Sequence, residues 1–160
     1  MSTLDAPLPS APEIDGAPPR VLVVRAPYYQ QVVDGLLQGA VRILEEAHAT
    51  HHVLDVAGAL ELAGAVRLAV AGRHRVDAYV VLGCVVKGET DHYEFVCREA
   101  MAGLTQVVQG FALCLGNGLL TVATLEQALA RSGADGHNKG AEAAVAALLQ
   151  VRAARWLAAG

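Results

Sequence analysis

Residues 78–86 (AYVVLGCVV) are apolar almost without interruption, and the run breaks abruptly at Lys87-Gly88 into a helical pattern whose polar head begins near Thr90. Successive side chains of a strand point to opposite faces, so a strand that is apolar throughout belongs to a sheet covered on both sides. A buried strand that feeds a short loop and then a helix also creates a particular electrostatic site. The first backbone N–H groups of a helix have no intrahelical partner, and the macrodipole adds partial positive charge there. Such a corner suits an anion. One turn in stands His92, the side chain best able to exchange protons near neutral pH.

The rest of the chain repeats this alternation. The spacing predicts strands over 20–24 (RVLVV), 53–57, 77–86 and 111–116. It predicts helices over 28–47, 59–71, 91–108, 124–132 and 139–158. The first helix is the clearest, with Val33, Leu36, Leu37, Ala40, Val41, Leu44 and Ala47 on one 3.6-residue stripe. Asp91 and Glu94 have the three-residue spacing of a capping box, and Gly110 is expected to stop the helix that they open. Strands alternating with helices imply βαβ units and a parallel sheet, an α/β fold with helices on both faces. Ligands of such folds sit beyond the carboxyl ends of the strands. Tyr28, the 58–61 stretch, the 87–92 stretch and Asn117 each follow a predicted strand, so they are expected to share one rim.

Five of the six prolines fall in residues 1–19, which carry little apolar content and read as an extended or disordered arm ahead of a single domain over 20–160. The net charge of −4, with no Lys/Arg cluster, argues against a nucleic-acid partner. Three widely spaced cysteines, Cys84, Cys97 and Cys114, with no C-x-x-C, fit buried thiols in a reducing compartment better than disulfides or zinc. No signal-peptide pattern and no run of about 18 apolar residues is present, so a cytoplasmic protein with no membrane partner is expected.

Several residues carry candidate chemistry, and each has a plainer reading. Gly88-Glu89-Thr90 fits a phosphate cradle built from backbone N–H groups and the Thr90 hydroxyl, or an ordinary helix start. The acids Glu89 and Asp91 weigh against an anion unless they turn away. His92 fits a general acid/base or a surface histidine, and a helix N-terminus disfavours its imidazolium. Cys84 beside Val85 and Val86 fits a buried strand thiol better than a nucleophile. His48, His51 and His52 straddle a helix end and a strand start, which spoils metal geometry. Glu61 fits a first-turn acid or an acceptor for substrate hydroxyls. Arg131 fits a helix C-terminal cation, Lys139 a loop residue, and Tyr28 a core edge or a stacking platform.

In combination these segments resemble the lumazine synthase family. The resemblance runs from about Arg20 to the last helix and rests on LLQGAVR, AGALEL, LGCVVKGETDHYEFVC, NGLLTVATLEQALARSG and HNKGAEAA. It implies a flavodoxin-like three-layer α/β/α sandwich with a four-stranded parallel sheet. It further implies a site between neighbouring subunits of a homopentamer, with decamers or icosahedral shells in some members. The reaction implied condenses 5-amino-6-(D-ribitylamino)uracil with 3,4-dihydroxy-2-butanone 4-phosphate in riboflavin biosynthesis, with no metal or organic cofactor. Carried over residue by residue, Tyr28 stacks on the pyrimidine, and Ala59, Leu60 and Glu61 hold the ring and ribityl chain. Cys84, Val85 and Val86 give backbone contacts to the ring. Glu89 (through its backbone) and Thr90 bind phosphate together with the neighbouring subunit's Arg131. His92 transfers protons, Asn117 lies by the ring, and Lys139 lies by the ribityl and phosphate groups. The chain departs from the family at Ala57 and Ala63, where proline is frequent, and at Asn117, where an aromatic is frequent.

Two rivals share the fold class. One is a non-catalytic or weakly active paralogue that binds flavin or lumazine or forms shells. The other, a receiver module, would need an acidic cluster at the strand ends that this sequence lacks.

Overall fold

The computed structural model describes residues 7–72, 75–134 and 137–160. The elements are β1 (Arg20–Arg25), α1 (Gln30–Glu46), β2 (Thr50–Asp55), α2 (Glu61–Ala71), β3 (Ala78–Val86), α3 (His92–Phe111), β4 (Leu115–Val122), α4 (Leu125–Ser132) and α5 (Lys139–Ala159). The four strands form one parallel sheet in the order β2-β1-β3-β4. β3 lies inside the sheet and is buried from Ala78 to Cys84, as its unbroken apolar run requires.

Alternation along the strands divides the core in two. Val21, Val23, Ala78, Val80, Leu82 and Cys84 face a layer built by α1, α4 and α5. Val24, Tyr79, Val81 and Leu119 face α2 and α3. The α1 stripe is the firmest part, with Leu36, Ile43 and Leu44 fully buried. Truncating any of these to Ala removes about 2–5 kcal/mol. α5 approaches α1 so closely that a Cβ on Gly140 would collide with the Leu36 carbonyl, and one on Gly116 of β4 would collide with that of Ala143.

Five expectations need correction. The fourth strand is Leu115–Val122, not 111–116. The helix before it runs through Gly110 and ends on Ala112, whose φ of 50° supplies the left-handed cap usually left to glycine. The second strand starts three residues before the predicted Val53, at Thr50, because Thr50 N–H reaches the Pro19 carbonyl at 2.9 Å and the pairing with β1 begins there. Asn117 consequently lies within β4, opposite Val81, and does not follow the strand. Finally, Asp91 makes no side-chain capping bond, so the Asp91/Glu94 capping box is not formed.

Of the proline-rich arm, residues 1–6 lie outside the described residues. Residues 7–19 have no regular secondary structure, yet Ala11 and Ile14 pack against the α1/α5 core. Arg155 of α5 holds the Asp15 carbonyl at 2.6 Å. The loop before α5 also falls partly outside, at residues 135 and 136.

Candidate active site

The chain leaves β1 for β2 on one side and returns to β3 on the other, so the direction of winding reverses between β1 and β3. Ligands of open α/β sheets gather in the crevice beyond the carboxyl ends at such a reversal. A cavity of about 340 Å³ lies there, and its lining includes Tyr28, Ala59, Leu60, Glu61, Cys84, Val85, Val86, Thr90 and His92. Residues from four separate segments are thus brought together at one rim. The ladder behind them is continuous, with Ala26 N–H donating to the Leu82 carbonyl at 2.9 Å.

Each wall has a local cause. Tyr28 precedes α1, is 78% exposed, and meets Tyr29 edge-on with ring centroids 5.3 Å apart, which leaves its outer face open. The loop after β2 is steadied from below by Arg25. Its guanidinium forks onto Asp55 at 2.6 and 3.2 Å and reaches Asp34 of α1 at 2.7 Å. That fork holds the Asp55 carboxyl below the ordinary carboxylate range. Beyond it, Glu61 N–H donates to the Gly58 carbonyl at 3.2 Å, and the Glu61 carboxylate folds back over Gly58.

Burial raises the Cys84 thiol to about 11, so at neutral pH it is an uncharged wall atom and no nucleophile. On the opposite wall, Thr90 and His92 stand exposed where α3 begins. Among the described residues, the backbone amides of Gly88, Glu89 and Thr90 donate to no backbone carbonyl. They provide the open donors that an anion would use. Glu89 itself is exposed and is not among the residues that line the cavity.

Asn117, Arg131 and Lys139 do not join this cavity. They line a second one of about 250 Å³ along β4, together with residues 118–122. Arg131 is tethered to the Gln127 carbonyl at 2.9 Å, Lys139 pairs with Glu142 at 2.6 Å, and Asn117 accepts from Leu119 N–H at 2.9 Å. Among the described residues, no group of three or more His, Cys, Asp or Glu is arranged to hold a metal ion, the 48/51/52 histidines included. No helix among them is long and apolar enough to cross a membrane.

The family model described as 6,7-dimethyl-8-ribityllumazine synthase matches residues 18–155. The chain belongs to that family. It is 46% identical over 157 residues to 6,7-dimethyl-8-ribityllumazine synthase 1 of Rhodopseudomonas palustris, covering 96% of this chain and 95% of the relative. It is 42% identical over 133 residues to 6,7-dimethyl-8-ribityllumazine synthase of Bartonella tribocorum, covering 83% and 88%. It is 47% identical over 133 residues to that of Methylorubrum extorquens, covering 81% and 77%.

Within this lumazine synthase fold, sequence reasoning missed three residues of the first cavity: Tyr29, Tyr93 and Val96. A periodic signal was present for each. Tyr93, Val96, Cys97, Ala100 and Leu104 follow the inward 3.6-residue stripe of α3, which marks Tyr93 and Val96 as wall residues. Tyr29 stands four residues before Val33, on the stripe of the predicted helix over 28–47, so the same periodicity marked it.

Proposed function

We propose that this protein is a transferase of riboflavin biosynthesis that condenses 5-amino-6-(D-ribitylamino)uracil with 3,4-dihydroxy-2-butanone 4-phosphate to 6,7-dimethyl-8-ribityllumazine. The observation that carries the reading is the cavity at the β1/β3 reversal, where an exposed aromatic, a backbone-lined wall and an open helix start with a histidine converge. The uracil ring stacks on Tyr28 and lies along the backbone of Cys84, Val85 and Val86. Ala59, Leu60 and Glu61 receive the ring edge and the ribityl hydroxyls.

The ring 5-amino group attacks the ketone carbonyl, and loss of water leaves an imine. A proton is then taken from the neighbouring hydroxyl-bearing carbon, phosphate departs from the carbon beyond it, and the enol that results tautomerises to a ketone. The ribitylamino nitrogen closes onto this new ketone carbonyl, and a second water leaves. Most of the acceleration comes from holding two reactants in one place. His92 moves the protons, and the loop amides with Thr90 cradle the ester. These steps call for no metal or organic cofactor.

Arg131 neutralises the leaving phosphate from a neighbouring chain, with Lys139 and Asn117 beside it. This accounts for one chain carrying the two sets of groups in different cavities. The working unit is then a homopentamer in which the first cavity of one copy meets the second cavity of the next. Residues 20–160 carry the activity in the cytoplasm, and the arm of residues 1–19 lies outside it.

The test is to incubate the purified chain with both substrates and follow product mass and released phosphate together. Lumazine and phosphate in equal amounts are expected. Binding of the uracil without product would overturn the reading in favour of a binding protein.

A further inference from the structure

Two separate segments carry the walls on which the uracil ring is proposed to rest: Tyr28 and Tyr29 after β1, and residues 58–61 after β2. Each leads into a helix with no side-chain cap. Neither Tyr29 at the start of α1 nor Leu60 at the start of α2 makes a capping bond. The main chain ties both segments only at their roots, where Ala26 N–H reaches the Leu82 carbonyl and Val56 N–H the Arg25 carbonyl, each at 2.9 Å. Helix starts of this kind fray unless something outside the helix fixes them.

Arg25 supplies that fixture. It is the last residue of β1 and the register partner of Asp55, the last of β2, and register partners present their side chains to one face of a sheet. Its guanidinium forks onto the Asp55 carboxylate at 2.6 and 3.2 Å and donates through Nη1 to Asp34 of α1 at 2.7 Å. The Asp34 bond closes a short loop around the two tyrosines, because it joins the residue three before Tyr28 to the residue five after Tyr29. The Asp55 fork joins the roots of the two wall segments to each other. The Arg25 side chain is 19% exposed, against 42% for Asp34 and 52% for Asp55, so the cation is sheltered while the acids are wet. None of the three lines the cavity.

We infer that Arg25 is a positioning residue: by gripping Asp55 and Asp34 at once, it sets the spacing between Tyr28 and the 58–61 loop and so preforms the slot for a flat ring. The inference rests on the proposed condensation for the identity of the ring, though not for the clamp. A slot held open in advance costs its ligand less to occupy. Among the described residues, the clamp bonds to none of residues 87–92, so the phosphate corner stands apart from it.

The experiment compares Asp34→Ala, Asp55→Ala, Arg25→Met and Arg25→Lys in the full chain, by steady-state kinetics with each substrate varied and by hydrogen exchange of peptides covering 26–33 and 56–62. Methionine keeps the apolar stem, and lysine keeps the charge but cannot fork onto one carboxylate while holding the other. KM for the ribitylaminouracil should rise about 3–10-fold in each aspartate variant and about 5–20-fold in Arg25→Met, with Arg25→Lys within about twofold of the methionine variant. KM for the butanone phosphate should stay within about twofold and kcat within about threefold, the pattern of lost ground-state binding. Added to Arg25→Met, either aspartate change should cost less than about twofold more, because the link is already cut. Exchange should speed up about tenfold over 26–33 in Asp34→Ala and over 56–62 in Asp55→Ala.

A rise in KM for both substrates alike, or a lower kcat with KM held, would overturn the slot. Unchanged exchange over both segments would overturn the clamp, as would aspartate losses that persist in full in the Arg25→Met chain. A wild-type chain that makes no lumazine refutes the proposed activity instead, and the exchange data then decide the clamp by themselves.

Discussion

Lys87 N–H donates to the Val122 carbonyl at 2.9 Å, one rung beyond the last β3–β4 pair, Val86 with Val122. This rung closes a partition. Cys84, Val85 and Val86 of β3 line one cavity, Leu119 to Val122 of β4 line another, and the two share no lining residue. His92 and Arg131 of one chain therefore serve different cavities. A shared site needs a second copy to bring an arginine to the histidine.

Arg131 is held ready by its own helix, through the Gln127 carbonyl, and lies with Lys139 in the second cavity. Arg131→Ala should raise KM for the butanone phosphate and lower kcat about 100- to 1,000-fold, as expected when a charge-stabilising donor is lost. His92→Ala should cost less, about 10–100-fold, because water can replace part of a proton shuttle. Steady-state kinetics with each substrate varied gives both numbers. An arginine variant with near wild-type constants would refute the phosphate assignment.

If the site is shared, two inactive variants can repair each other. Arg131→Ala and His92→Ala chains, unfolded together and refolded at equal amounts, place an intact histidine beside an intact arginine at about one interface in four, by random placement around a closed ring. The mixed oligomer should therefore regain about one quarter of wild-type activity, measured as lumazine formed per chain. Recovery no greater than the mean of the two pure variants would mean that each chain builds its site alone.

The sequence made the first cavity legible because its residues sit where strict periodic runs end. Ala78–Val86 stops at Lys87, and Glu61 opens α2, so both positions are marked by a change of pattern. The β4 region was misread for a physical reason. Phe111 to Leu115 is as apolar as a strand, yet Phe111 completes α3 and Ala112 turns left-handed without a glycine to announce it. Gly116 and Gly118 look like breakers, but each makes room for a close neighbour: the Ala143 carbonyl at Gly116 and Leu82 at Gly118. Asn117 was displaced with them, from a strand end into a strand. Nothing in a linear pattern reports how near α5 passes to β4.

Asn138 ties together the elements that carry the second cavity. It is buried, and its Nδ2 donates to the Gly35 and Ser132 carbonyls at 2.9 Å and to that of Gly133 at 3.1 Å. Its Oδ1 accepts from Gly140 and Ala141 at 2.8 and 3.1 Å, capping α5 beside Lys139. Asn138→Ala loses a cap and strands several buried polar groups, a cost of about 3 kcal/mol. Denaturant unfolding should show the midpoint falling with little change in slope. Asn138→Asp should also destabilise, since a carboxylate keeps the cap but cannot donate to the three carbonyls. An aspartate variant as stable as wild type would remove those carbonyls from the account.

At the amino ends of the strands, Asp77 and Arg20 lock β3 to β1. Arg20 donates to the Asp77 carboxylate from its backbone N–H at 2.8 Å and from Nε and Nη2 at 3.0 and 3.1 Å, while Asp77 N–H returns a bond to the Arg20 carbonyl at 2.8 Å. The Arg20 guanidinium, above all, holds the Asp77 carboxyl below its ordinary value. In the unfolded chain the same group titrates near about 3.9. The folded form therefore binds its proton less readily than the unfolded form. The stability this gives is fully present above about pH 4 and is lost as the pH falls further, through the depressed folded value. Asp77→Asn removes this term, so its Tm should lie below wild type at pH 7, with the gap narrowing steadily below about pH 4. Calorimetric scans of both proteins from neutral to acid measure that gap, and other carboxylates cancel because both chains carry them. A gap of constant size down to the acid limit would mean that the Asp77 carboxylate contributes through packing alone and its charge contributes nothing.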